Sequence, residues 1–401
     1  MTDYTYVKNF EKLGMGLFVH FGLYSMVGRG EWYLKNCSDA DLDMYNALSD
    51  KFVVKKNWAK QLVATAKRAG AKYINITTRH HDGFSLYDTR GLSDFDAPHS
   101  ACGRDLIAEL ADECHKADIL PFFYHTLIDW HEPTYKTDFS AYLDYLNKSI
   151  EILCTHYGKV GGFWFDGFWD KPDCDYWQFD RLYGTIRKYQ PTAMIINNTG
   201  LNAMGQVSHK EIDSVTFERG NPCFVDNSDR PRAGETCEGM NDHWGYASND
   251  FRYKPVERLI DTLLVCRENN CNLLLNAGLR GDGTITPIER EMLGYLGKWI
   301  KLNKAAVYNA QKCDVAADNA VVITDGKWYY AVAHDVAMSC DINVARAVER
   351  KHIIVHTDKK VTNAGVLDNG EKVAVTNNEF DLTPFAYGNS MYARVVRFRL
   401  N

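Results

Sequence analysis

Residues 161–167 read GGFWFDG, and this stretch decides the fold. Phe163, Trp164 and Phe165 follow one another, and successive side chains of an extended chain point to opposite faces, so this segment is apolar on both. A strand of that kind must be covered on both sides, which is the condition of a parallel sheet wrapped by helices. Its flanks agree. YLDYLNKSIEILCTHYG (142–158) before it and FDRLYGTIRKYQ (179–190) after it carry apolar residues at helical spacing. Further out, the same alternation continues. Strand-like runs are GLFVHFG (16–22), AKYINITT (71–78), ILPFFYHTL (119–127), AMIINN (193–198), DSVTFE (213–218) and CNLLLNAG (271–278). Helical patterns lie at 57–70, 104–118 and 255–270. With 161–167 this makes seven strands, and an α/β chain of this length predicts a (β/α)8-type, TIM-like barrel. The loop from Asn221 to Ser248 either contains the seventh strand in order or replaces it. A doubly wound open sheet is the alternative, but the first strand turns through His20-Phe21-Gly22 and not through G-x-G-x-x-G.

After Leu302 the period changes to two. Segments 320–334, 351–358, 364–375, 379–384 and 392–400 alternate apolar and polar residues, with turn chemistry at Asp325-Gly326 and Asn369-Gly370. This predicts a C-terminal antiparallel β-sandwich domain. The expected division is a catalytic barrel over 1–305 and a sandwich over 306–401, with the boundary inside KLNKAAVYNA (301–310).

Composition narrows the function. Among 401 residues, 46 Lys+Arg against 52 Asp+Glu leave a net charge of −6, without the cationic surplus that a nucleic-acid binder needs. No run approaches the roughly 20 apolar residues of a membrane span. The N-terminal MTDYTYVKNFEKLGMG carries Asp3 and Glu11 where an export signal would be apolar, so the expected location is cytoplasmic. Eleven cysteines at irregular spacing, with no C-x-x-C, are expected to be reduced structural thiols. Oligomeric state is not readable.

In a parallel barrel the site lies at the carboxyl ends of the strands. These ends are furnished with His20, with His80-His81, with Tyr124 and His125, with Trp164 and Asp166, with Asn197-Asn198 and with Glu218. Histidines, aromatics and carboxylates gathered at one mouth suit a carbohydrate, because aromatic faces cover apolar sugar surfaces and two carboxyl groups can break a glycosidic bond. Asp166 interrupts a run fit for burial, where an ionised group is costly unless it serves a polar site. His80 and His81 face one pocket only if the strand has ended before them. Trp164 also fits simple core packing. Glu218 also fits a loop cap or a partner of Arg219, and Glu235, read as a loop residue, is similarly balanced.

The motifs GMGLFVHFGLYS, GEWY, AKYINITTRHHDGFSLYDT, GRDLIAELADECHKADILPFFYHTLIDWHEP, GGFWFDG, GETCEGMNDHWGY and NLLLNAG, in order over residues 12–300, resemble the α-L-fucosidases of glycoside hydrolase family 29. The resemblance implies a barrel followed by a β-sandwich, and retaining, metal-free and cofactor-free removal of terminal α-L-fucose from a fucosylated oligosaccharide or glycoconjugate. It implies Asp166 as nucleophile and Glu218 as acid/base, with Glu235 as the second candidate. For sugar binding it implies His20, Glu31, Trp32, His80, His81, Tyr124 and Trp164. Two positions depart from the family pattern: Thr199 stands where an arginine is frequent, and Gly234 where a tryptophan is. A metal-dependent barrel hydrolase using His20, His80, His81 and Asp166 is a competing reading, disfavoured by the lack of His-x-His on strand one. A non-catalytic sugar-binding protein, or a glycosidase for a related sugar, is another.

Overall fold

The computed structural model describes residues 3–201, 204–223, 225, 227–339 and 350–401. Eight parallel strands close into a barrel in sequence order: β1 (Met15–His20), β2 (Tyr73–Arg79), β3 (Leu120–Thr126), β4 (Gly162–Asp166), β5 (Met194–Asn197), β6 (Ser214–Glu218), β7 (Ala233–Gly239) and β8 (Cys271–Gly278). The open-sheet alternative is thereby excluded. The eighth strand missing from the sequence pattern is β7, inside the long loop, so Glu235 is a strand residue and not a loop residue. A Cβ added at Gly234 would fall 2.3 Å from Cys271 Sγ and 3.3 Å from the Phe217 ring. The β6–β7–β8 seam therefore admits glycine there and resists the tryptophan of the family pattern.

Helix α1 (Thr5–Glu11) precedes the barrel, and its buried Val7 and Phe10 close the lower end by packing on Tyr73 and Phe122. Above them the interior is filled by Phe18, Tyr124, Trp164, Met194 and Ile196. The outer helices are α2 (Trp58–Ala69), α3 (Leu106–Ala117), α4 (Phe139–Thr155), α5 (Phe179–Tyr189), α6 (Val256–Glu268) and α7 (Pro287–Leu302). Helix starts follow side-chain capping: Asp105 accepts from Ala108 N, Asp138 from Ala141 N and Thr286 from Glu289 N. Among the described residues the β5–β6 and β6–β7 connections hold no helix. None of the described helices is long and apolar enough to cross a membrane.

Beyond α7, strands β9 (Gln311–Lys312), β10 (Ala316–Asp318), β11 (Val321–Thr324), β12 (Tyr329–Ala333), β13 (Lys351–His356), β14 (Val361–Val366), β15 (Glu379–Leu382) and β16 (Arg394–Leu400) form two antiparallel sheets. One is ordered β10-β13-β15, the other β14-β16-β12-β11-β9. Val322, Ala331, Ile353, Phe380 and Val396 from both sheets share one core, the arrangement of a sandwich. Gly326 (φ 83°) and Gly370 (φ 73°) supply the left-handed residues of the two turns read from the sequence.

Candidate active site

Strand register decides which side chains reach the mouth. On β3, Tyr124 points into the barrel, where its ring stacks on Trp164 (5.6 Å, 19°) and on His80 (5.7 Å, 13°). The next residue, His125, points outward to Tyr87 and takes no part. On β2 the pairing with β3 slips between Thr77 and Arg79, and the strand ends at Arg79. His80 and His81 follow as non-strand residues with ring centroids 4.2 Å apart, so the condition for both to face one pocket is met. His20, ending β1, meets Asn276 of β8 through Nδ1 at 2.7 Å. Burial drives its pKa down to about 3, which leaves a neutral imidazole.

Asp166 ends β4. Its Oδ2 accepts from Tyr124 OH at 3.1 Å, and its Oδ1 from Asn198 Nδ2 at 3.2 Å, while His81 Nε2 lies 3.5 Å from Oδ2. Burial opposes ionisation of this carboxyl. The His81 ring, the Asn198 amide and the Gly167 N–H outweigh it, and the group is held below the ordinary carboxylate value. Glu218, ending β6, has the opposite balance. Burial and the charge of Asp166 push its pKa up to about 7, against one favourable donation from Asn198.

One amide links the two. Asn198 Nδ2 also donates to Glu218 Oε2 at 2.7 Å, and Thr216 Oγ1 donates to Asn198 Oδ1, fixing the amide orientation. Two oxygens that share one nitrogen at 3.2 and 2.7 Å are at most about 6 Å apart, nearer the about 5–5.5 Å of retaining carboxyl pairs than the about 6.5–9.5 Å of inverting ones.

Glu235 is elsewhere. Thr216 pairs with Glu235 in the β6–β7 register and Glu218 with Cys237, so Glu235 sits two residues lower in the barrel. It is fully buried and accepts from Trp164 Nε1 at 3.0 Å and from Tyr73 OH. Glu31 is also committed, its Oε2 accepting from Gly245 N at 2.6 Å. It therefore braces the loop after β7, and its charge also reaches Glu218. Trp32 stands edge-on to His81 (5.4 Å) and to Trp130 (5.2 Å). At the pocket wall, His80 Nδ1 and His81 Nε2 are buried without a well-formed hydrogen bond among the described residues. A bound sugar's hydroxyls would satisfy such groups.

The α-L-fucosidase family model matches residues 2–305, three-quarters of the chain. The chain belongs to the α-L-fucosidase family. The fucosidase, a glycoside hydrolase by this membership, is 25% identical over 353 residues to the tissue α-L-fucosidase of Rattus norvegicus, covering 80% of this chain and 73% of that one. Among solved structures, α-L-fucosidase isoenzyme 1 from Paenibacillus thiaminolyticus superposes with a TM-score of 0.86 at 27% identity, covering 99% of both chains. A glycoside hydrolase family 29 α-L-fucosidase from Bacteroides thetaiotaomicron, trapped as a covalent intermediate with 2-fluoro-fucosyl fluoride, shares the fold with a TM-score of 0.83 at 22% identity. It covers 100% of this chain and 97% of that one.

Several groups of the fucosidase site escaped the sequence reading. Asn198 was visible as a strand end, but its bridging role was not. Trp169 follows the β4 end and packs with Trp32 and His81, as does Trp130, whose place after strand three was visible in the sequence. Trp244, from the loop after β7, stacks on His20 at 5.6 Å. Glu218 does not pair with Arg219, whose guanidinium turns to Asp242 O and the Trp244 ring. Among the described residues no group of three or more His, Cys, Asp or Glu side chains converges as metal ligands do.

Proposed function

We propose that the enzyme is a retaining exo-α-L-fucosidase that hydrolyses terminal α-L-fucosyl residues of oligosaccharides or glycoconjugates through a covalent fucosyl-enzyme. The observation that carries this reading is the pair Asp166 and Glu218, joined by one Asn198 amide yet biased to opposite protonation states. An ionised carboxylate beside a protonated one is what double displacement requires. Asp166 attacks the anomeric carbon while the departing oxygen takes the Glu218 proton. Glu218, now a carboxylate, removes a proton from water as the water oxygen attacks the same carbon and frees Asp166. His20, His80, His81 and Tyr124 hold the ring hydroxyls, Trp32 closes the pocket, and Trp164 offers an apolar face to the methyl group of a 6-deoxy sugar. Glu31 supports the pocket through Gly245.

Asp166→Gly tests the assignment. Hydrolysis of an aryl α-L-fucoside should fall by about 10³-fold or more, because the covalent route is gone. Added azide should restore turnover and give a fucosyl azide of inverted configuration. Substantial azide-independent activity in this variant would remove Asp166 from the role.

A further inference from the structure

The residue after Glu218 is the one to follow outward. Arg219 is exposed, and it is a non-glycine residue in the left-handed region, with φ 51°. Its N–H bonds Cys237 O at 2.9 Å, its Nη2 donates to Asp242 O at 2.9 Å, and its guanidinium lies 4.5 Å over the Trp244 ring. Trp244 is the ring that stacks on His20 at 5.6 Å and 25°. A continuous set of contacts thus runs from His20 through Trp244 to Arg219, the chain neighbour of Glu218. The charge of Arg219 reaches Glu218, Glu31 and His20. Among the described residues no carboxylate lies within ion-pair distance of it. By contrast Arg252, on the neighbouring loop, pairs with Asp242.

We propose that Arg219 forms a leaving-group subsite that selects a carboxylate-bearing sugar at the fucosyl linkage. The inference rests on the fucosidase reading above. If Glu218 protonates the departing oxygen, the group attached to that oxygen leaves past the wall built by Arg219 and Trp244. A guanidinium already fixed by one carbonyl and one ring has donors left for a planar carboxylate, and a neutral sugar gains less from it.

The test uses the full chain and two aryl α-L-fucosides matched in shape, 3-carboxyphenyl and 3-carbamoylphenyl. In the wild type kcat/KM should favour the carboxylate, and the preference should shrink with added salt. Arg219→Gln, which keeps a donor for Asp242 O, should lower the carboxylate-to-carboxamide ratio at least about tenfold, as expected for loss of a charge-assisted hydrogen bond. Arg219→Lys should recover part of it. Both substrates are read on one preparation, so a partly folded variant changes both rates and leaves their ratio. An unchanged ratio in Arg219→Gln, or no salt-sensitive preference in the wild type, overturns the subsite. Failure of the wild type to cleave either compound would instead overturn the fucosidase reading beneath it.

Discussion

Two glutamates, one half-buried and one fully buried, illustrate what a residue's surroundings make of it. Glu218 and Glu235 are both pushed up to about 7, but Glu218 by burial together with the Asp166 charge and Glu235 by burial alone, against two donors. Under the proposed mechanism only the first has a proton to give to the departing oxygen. An acid matters in proportion to how poor the leaving group is. Glu218→Ala should therefore lose about 10²-fold to 10⁴-fold on an oligosaccharide and far less in the glycosylation step of a dinitrophenyl fucoside. The wild-type kcat/KM should rise as Asp166 deprotonates, below the ordinary carboxylate range, and fall as Glu218 deprotonates at about 7. The variant should lose that basic limb. Glu235→Ala strands the Trp164 and Tyr73 donors, so it should cost about 1–3 kcal/mol for each in denaturant unfolding and lower activity on both substrates alike. Leaving-group selectivity in Glu235→Ala and not in Glu218→Ala would exchange the two. Asp166 was legible because a carboxylate in GGFWFDG breaks an apolar run. Asn198 was not, because an amide at a strand end carries no pattern until its two neighbours are placed.

At the scale of elements, the end of β2 has to be held while turning two histidines inward. Arg79, the residue before them, is fully buried, with Nε 3.6 Å from Asp129 Oδ2 and Nη1 donating to Tyr145 OH on α4 at 2.5 Å. Asp129 Oδ1 accepts from His131 N and Glu132 N, and Trp130 N donates to His81 O at 2.8 Å. The pair thus ties the β2 end to the β3–α4 connection. Arg79→Met should destabilise by about 3–5 kcal/mol, since it leaves the Asp129 charge buried alone, and adding Asp129→Asn should recover much of that loss in urea unfolding midpoints. A double variant no more stable than the single one would mean that the pair is not coupled. Most barrel strands were legible because runs such as FWF and LLL are apolar on both faces. The exception is β7, AGETCEG, with two glycines and an interior carboxylate. Its place is set by its neighbours in the barrel, through the Gly234–Cys271 approach and the Glu235 hydrogen bonds, and not by its own periodicity.

Across the whole molecule, the change of period after α7 was legible because a sandwich strand faces core on one side and solvent on the other, as β13 does with buried Ile353 and Val355 between exposed His352 and His356. Its seating against the barrel was not, because contacts between distant segments leave no periodic trace. In the structure α6 presents Asp261 and Glu268 to the sandwich, and His334, just past β12, spans them. Its Nδ1 lies 2.9 Å from Asp261 and its Nε2 2.8 Å from Glu268, while Tyr392 OH adds a bond to Asp261 at 3.1 Å. Trp299 Nε1 reinforces the seam by donating to Ala393 O at 3.0 Å. With both ring nitrogens facing carboxylates, the bridge is complete only when His334 is protonated. Burial opposes that charge, yet the two acids outweigh it and raise the pKa above its ordinary value. A raised folded value means that the stabilisation is full below the unfolded value of about 6.5 and is lost as pH climbs through the folded one. Thermal unfolding should therefore show the wild type ahead of His334→Gln by about 1–3 kcal/mol in mildly acidic buffer, the range for hydrogen bonds to charged groups. The gap should narrow as the solution is made alkaline, because the neutral imidazole keeps one donor and faces the other acid with a lone pair. A gap that is constant with pH, or that widens on the alkaline side, would show that His334 joins the two domains by packing and not by charge.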